Sequence, residues 1–192
     1  MKKLLIVLNV FALFFVGCQN ENDSTITGPV TPTQSKISLV SDLMTHSSSV
    51  TKTIDGSRGG TIYLTGSTLY KGKLQSVSAS VNFAPGAFNG RKAITVTANF
   101  DSISLSFYPH MVFNGSDLVK LNATFTGVNL NLLTIISGYN SSSEYCFCYF
   151  GDDNSYEIIK NDGIDASNAQ SQIAVKNARL KHFSRYCWAT RR

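Results

Sequence analysis

The sequence predicts an all-β fold, a two-layer antiparallel β-sandwich of about nine strands. Three observations carry this expectation: short apolar runs recur at intervals of about 8 to 12 residues, turn residues separate them, and almost no stretch keeps a helical period. The 192 residues, 43% hydrophobic and 15% charged, suffice for one sizeable core. Val77, Ala79, Val81 and Phe83 alternate with Ser78, Ser80 and Asn82, so that strand has one apolar and one polar face. Pro85-Gly86 reads as a type II turn. Ile94 and Val96 resume the alternation after Asn89-Gly90, and Val77 to Ala98 therefore reads as two strands with the turn that reverses them.

The chain opens with Lys2 and Lys3 before Leu4 to Gly17, a run of 14 residues interrupted only by Asn9. As a helix it would span about 21 Å, short of a hydrocarbon core of about 30 Å. Residues 1–17 thus read as a signal peptide and not as a permanent span. Two of the 17 basic residues lie in this leader, leaving 15 against 12 acidic ones and a mild net charge of +3. Arg179, Lys181, Arg185, Arg191 and Arg192 gather near the end without the interleaved aromatics of a nucleic-acid surface, so no nucleic-acid partner is expected. Gln19 to Ser35 has two prolines and no aromatic. With Cys18 it makes a flexible tether over 18–35, spanning about 23 Å as a coil.

The sandwich domain is expected over 36–192. Ile37 to Val40 reads as a short strand and Asp42 to Ser49 as a loop. Val50 to Ile54 alternates as an edge strand, Asp55-Gly56 turns it, and Gly59-Gly60 leads into Thr61 to Leu64. Gly66 and Gly72-Lys73 miss the spacing of a phosphate loop: five residues separate the glycines where four are needed, and Leu74 stands where Ser or Thr would hold magnesium. They read as turn residues. Ser102 to Phe107 and Leu118 to Phe125 are strands, the first broken by Tyr108-Pro109. Gly127 to Ser137 is the one place for a helical turn or two, with Leu130, Leu133 and Ile136 three apart. Asn140 to Ser143 is a loop. Tyr145 to Phe150 and Tyr156 to Ile159 flank a five-residue hairpin loop, Gly151 to Ser155. Ile173 to Val175, Arg179-Leu180 and Phe183 to Trp188 close the chain.

Phe15-Val16-Gly17-Cys18 resembles the bacterial lipoprotein cleavage signal, with Phe15 where leucine is usual. The resemblance implies that the Cys18 thiol is acylated, the bond before it cut, and the new amino group acylated in turn. Each buried CH₂ is worth about 0.8 kcal/mol, so two or more acyl chains hold where one holds only marginally. Gln19 in place of aspartate implies the bacterial outer membrane, and Glu21 and Asp23 resemble the acidic export signals of surface lipoproteins. Which side of that membrane the domain faces stays open. Gly59-Gly60-Thr61-Ile62, Val81 to Phe88, Ile94 to Ala98, Phe107-Tyr108-Pro109, Phe113 and Leu118 to Leu121 together resemble the ZU-type domain of zonula occludens proteins, ankyrins and netrin receptors. This likeness spans about 53–125 and implies a sandwich that binds other proteins without catalysis. His182 to Tyr186 resembles the ending of bacterial envelope lipoproteins of unassigned role, in which glycine stands at the position of Cys187.

Cys146, Cys148, His182 and Cys187 are zinc-ligand types. Their spacing argues otherwise: Cys-x-Cys on a strand is no knuckle, and His182 and Cys187, five apart, fall on opposite faces. No metal is expected. An exported compartment favours a disulfide from Cys187 to Cys146 or to Cys148. Cys146 and Cys148 themselves, about 6.6 Å apart with parallel side chains, should not join. Buried small apolar thiols among Tyr145, Phe147 and Tyr149 are the reading favoured over that bond. His46, His110 and His182 are scattered, with no nucleophile elbow or HExxH. Glu144, Asp152, Asp153 and Glu157 are of glycosidase or calcium-ligand type but flank a hairpin loop, where Asp serves the turn. Tyr145, Tyr149, Tyr156, Tyr186 and Trp188 would make a glycan-stacking face only if they shared one exposed side. The expectation is a non-enzymatic, membrane-anchored lipoprotein without a cofactor, meeting a protein or glycan at the envelope through loops or a sheet edge. One rival is an envelope hydrolase acting on a glycan or ester, which needs a cleft where a histidine meets a carboxylate. The other is a thiol or metal protein using Cys146, Cys148 and Cys187.

Overall fold

Along Lys73–Phe83 every second residue turns inward: Gln75, Val77, Ala79, Val81 and Phe83 are buried, while Ser78 and Asn82 face solvent. That local rule, repeated, builds the protein. The computed structural model describes residues 46–136, 144–151 and 155–191. The expected signal peptide over 1–17, Cys18 and the tether to 35, the strand at 37–40, the loop at 140–143 and the pair Asp152 and Asp153 lie outside the described residues.

Twelve strands run through the described residues: β1 (Ser47–Asp55), β2 (Gly60–Tyr70), β3 (Lys73–Phe83), β4 (Arg91–Asn99), β5 (Ser104–Tyr108), β6 (Val119–Thr126), β7 (Thr134–Ile136), β8 (Tyr145–Phe150), β9 (Tyr156–Ile158), β10 (Gly163–Ser167), β11 (Gln172–Arg179) and β12 (Arg185–Arg191). They form two sheets, in the orders β1-β4-β5-β12-β8-β9 and β10-β11-β6-β3-β2. All pairs are antiparallel except that β7 runs parallel beside the end of β12. The all-β class is as expected, and the strand count exceeds about nine. β10 escaped the reading because it is a sheet edge with no fully buried residue to give its pattern away. The helical turn expected after Gly127 shrinks to one 3₁₀ turn, Leu130–Leu132, whose Asn129 side chain accepts from the Asn131 N–H; β7 follows.

The apolar faces of both sheets meet in one core. Ile94, Val96, Leu105, Phe107, Phe147 and Trp188 come from the first sheet, and Ile62, Val81, Leu121, Phe125 and Ile173 from the second. Phe83 reaches Phe183 at 5.8 Å between ring centroids, and Phe183 stacks on Phe107 at 4.8 Å. β1 is the outermost strand of its sheet, as its pattern predicted. Lys71 and Gly72, both at positive φ, close the β2–β3 hairpin with the geometry of a type I′ turn, so Gly72 serves a turn as expected, whereas Gly66 lies inside β2, opposite Val77. β8 and β9 make the expected hairpin, with the Gly151 N–H bonded to the Ser155 carbonyl at 2.9 Å.

The stretch from Val77 to Ala98 is not a hairpin. β3 pairs with β2 and β6, while β4 pairs with β1 and β5, so residues 84–90 carry the chain from one sheet to the other. The type II turn itself forms, with the Ala87 N–H on the Ala84 carbonyl at 3.2 Å and Gly86 at φ +83°. A type II turn does not match the twist of a tight hairpin. Ala87 and Phe88 instead go into the core and fill the corner of the crossing. Gly56 ties that corner down, donating to the Gly90 carbonyl at 2.9 Å and accepting from the Gly86 N–H at 2.8 Å.

Candidate functional site

Residues opposite one another in a sheet share a face, so register lays the outward side chains of the larger sheet in rows. One row runs Thr51, Thr95, Tyr108; the next runs Ser49, Thr97, Ser106, Arg185; the third runs Asn99, Ser104, Cys187, Cys148, Ile158. The polar half of the alternation in β1, β4 and β5 is almost all Ser and Thr, which gives a face of small hydroxyls. They bond across strands, Ser49 to Thr97 at 3.1 Å and Thr51 to Thr95 at 2.8 Å.

Two hollows sit on this face and share Phe150 and Arg185 as walls. The larger, about 340 Å³, adds Thr95, Thr97, Ser106, Tyr108 and His110. The smaller, about 160 Å³, adds Ser102, Ser104 and Cys187. Tyr108 is 67% exposed. Among the described residues no carboxylate lines either hollow and Arg185 makes no ion pair. His110 Nδ1 lies 3.2 Å from the Phe183 carbonyl. Hydroxyls that accept and donate, a guanidinium with five donors and an exposed phenol ring can hydrogen-bond, charge-pair and stack with one polyhydroxylated ligand. The outer face of the smaller sheet has its own hollow of about 280 Å³, over Ser78, Ser80, Asn122 and Thr124 with Lys176 beside them.

The cysteines lie on the same outward face, not among Tyr145, Phe147 and Tyr149. Those aromatics occupy the alternate positions of β8 and turn toward the core. Cys148 stands directly opposite Cys187, with the sulfurs 4.0 Å apart, and Cys146 stands opposite Ala189. None of the three is joined in a disulfide; Cys146 and Cys148 are buried and Cys187 is half-buried. The Cys148 thiol donates to the Cys187 carbonyl at 3.5 Å, and the Cys146 thiol to the Ala189 carbonyl at 3.6 Å. Hydrogen bonding with Cys146 and Cys187, together with burial, pushes the Cys148 thiol far above the ordinary thiol range. The Cys148 hydrogen bond, helped by the Arg185 charge and opposed by burial, holds Cys187 below it. His182 is on the other side, its ring against Tyr149 at 4.8 Å and beside Tyr186. Among the described residues no three His, Cys, Asp or Glu side chains come together as a metal site.

Two histidines meet carboxylates. His46 Nδ1 is 3.2 Å from Asp101, and His182 Nε2 is 4.0 Å from Glu157, which also bonds Lys181. Neither histidine lines a hollow described above. The five-aromatic stacking face does not form: Tyr186 and Trp188 are core residues, Tyr145 and Tyr149 lean on the core, and Tyr156 alone of the five is exposed. Of the aromatic residues that border the outer hollow, Phe107 belongs to the core, and Tyr108 and Phe150 are the two that turn outward. Alternation could have found them, since each neighbours an inward aromatic, Phe107 and Tyr149. No family model, curated protein or solved structure matches this chain.

Proposed function

We propose that the protein is a non-catalytic, lipid-anchored β-sandwich of the bacterial outer membrane that binds an acidic saccharide on the outer face of its larger sheet. The lipoprotein signal ending at Cys18 supports the anchor. The binding reading rests on one observation: a hollow of about 340 Å³ walled by Ser and Thr hydroxyls, an exposed tyrosine and an arginine that, among the described residues, has no ion-pair partner and no carboxylate beside it to repel an anion. A sugar ring stacks on Tyr108, its hydroxyls meet Thr95, Thr97 and Ser106, and its carboxylate pairs with Arg185. Neither the His46–Asp101 pair nor the His182–Glu157 pair lines that hollow, which favours binding over hydrolysis there. The ZU-type likeness supports a binding module as well.

Titration calorimetry of the Cys18→Ala chain with oligogalacturonate, and with a neutral oligosaccharide of equal length, tests the site. Arg185→Ala should weaken the acidic ligand by roughly tenfold or more, the loss of a charge-assisted bond. Equal affinity before and after the change would remove the reading. Metabolic labelling with a palmitate analogue tests the anchor separately: the label should vanish in Cys18→Ala, and a variant labelled like the parent would end that claim.

A further inference from the structure

We infer that Cys187 and Cys148 form a thiol–disulfide exchange site, with Cys187 as the attacking thiol and Cys148 as the resolving one. The inference does not depend on the saccharide or on the anchor. It stands on the unequal placement of two sulfurs 4.0 Å apart on directly opposed residues of β12 and β8. Cys187 is half-exposed and opens into the hollow of about 160 Å³ formed with Ser102, Ser104, Phe150 and Arg185, so a co-reactant can reach it. Cys148 is sealed beneath the face and reaches no solvent. Opposed residues of an antiparallel pair have Cα atoms about 4.5 to 5.5 Å apart, within the range a disulfide spans, so closing the sulfurs to about 2.05 Å asks for side-chain rotation and not for strand movement. Cys146, two residues along β8, stands opposite Ala189 and therefore does not face Cys187 across the strand pair.

The co-reactant is a disulfide, RS–SR. The Cys187 thiol loses its proton and its sulfur attacks one sulfur of RS–SR. A Cys187–S–S–R bond forms, the RS–SR bond breaks, and the departing RS⁻ takes up a proton. Cys148, losing its proton in turn, attacks the Cys187 sulfur; the Cys148–Cys187 bond forms and the second RS⁻ leaves and is protonated. Two protein thiols are oxidised and one disulfide is reduced to two RSH. The lowered Cys187 proton affinity, set by the Cys148 hydrogen bond and Arg185, raises the thiolate share of the first attacker.

The test uses the full chain with Cys18→Ala, so that the three remaining cysteines are the only thiols, and oxidised glutathione as the probe. Intact mass and peptide mapping should show a Cys148–Cys187 cross-link in the parent, a glutathione adduct held on Cys187 in Cys148→Ser, and a reaction slowed by roughly tenfold or more in Cys187→Ser. A cross-link that includes Cys146, or a Cys187→Ser chain as fast as the parent, would overturn the inference. A second measurement needs no cysteine variant at the site: brief alkylation of the reduced native chain should label Cys187 ahead of Cys148 and Cys146, and equal labelling of the three would overturn it too.

Discussion

Phe125 of β6 meets Trp188 of β12 edge to face, with ring centroids 5.4 Å apart, and the contact joins the two sheets. Phe125 also touches Phe100, and Trp188 touches Phe147, so the pair sits within a chain of rings. Both side chains are fully buried. Phe125→Ala should lower stability by about 3 to 5 kcal/mol through lost burial and the cavity left behind, and Phe125→Leu by less. Urea unfolding midpoints measure both. A loss under about 1 kcal/mol for the alanine would mean the sheets do not depend on this contact.

The crossing between the sheets gives a second expectation. A Cβ on Gly56 would lie 2.0 Å from the Phe88 carbonyl oxygen and 2.6 Å from the Phe88 ring, so Gly56→Ala must push the corner open. The cost is about 1 to 3 kcal/mol, the usual size of overpacking. Gly86→Ala meets open space and suffers only from its φ of +83°, about 1 kcal/mol. Thermal unfolding of the two variants should rank Gly56→Ala as the weaker protein. The reverse order would place the strain at the turn and not at the approach of Gly56 to Phe88.

The strands themselves were readable because alternation is local: Val77 to Phe83 states its two faces without help from the rest of the chain. What alternation omits is which sheet a strand joins. The Pro85-Gly86 turn is visible, yet only the distant Gly56 and the buried Phe88 make it a crossing. The face that turns inward is equally non-local, since a shift of one residue exchanges all side chains. Tyr186 and Trp188 looked as available for stacking as Tyr156, and register sends the first two into the core. Register likewise picks Cys148 over Cys146 as the neighbour of Cys187, a choice that spacing left open. The hydroxyl-lined hollow is built from β4, β5, β8 and β12, and no single stretch displays it.

Gln75 is the exception on the inward face of β3. Its side chain is buried, and its Oε1 has no hydrogen-bond partner among the described residues. A buried carbonyl that left water without a replacement bond costs about 1 to 3 kcal/mol. Gln75→Met, of similar length and without that oxygen, should therefore raise stability by about 1 kcal/mol. Gln75→Ala should lower it by leaving a void. The pair of urea midpoints decides the matter: a destabilised methionine variant would show that the amide is satisfied in solution.

Asp162 gives the expected response to acid. It accepts from Asn177 Nδ2 at 2.9 Å and from Arg179 Nη2 at 2.8 Å, and Arg179 Nε also holds Asp117 at 2.9 Å. The Asn177 hydrogen bond, followed by the Arg179 charge, holds the Asp162 carboxyl below its ordinary 3.8. Asp55, bonded by the hydroxyl and N–H of Ser57, is lowered in the same way. A depressed folded value means that the unfolded chain binds the proton first, so this stabilisation is present above about pH 4 and fades as pH falls through the lower folded value. Asp162→Asn should be less stable than the parent at neutral pH, and the gap should close once both carboxyl states are protonated. Urea midpoints of parent and variant across the acid range measure it; a gap of constant size from neutral to strongly acid pH would mean that the Asp162 charge contributes nothing to the Asn177–Arg179 end of β11.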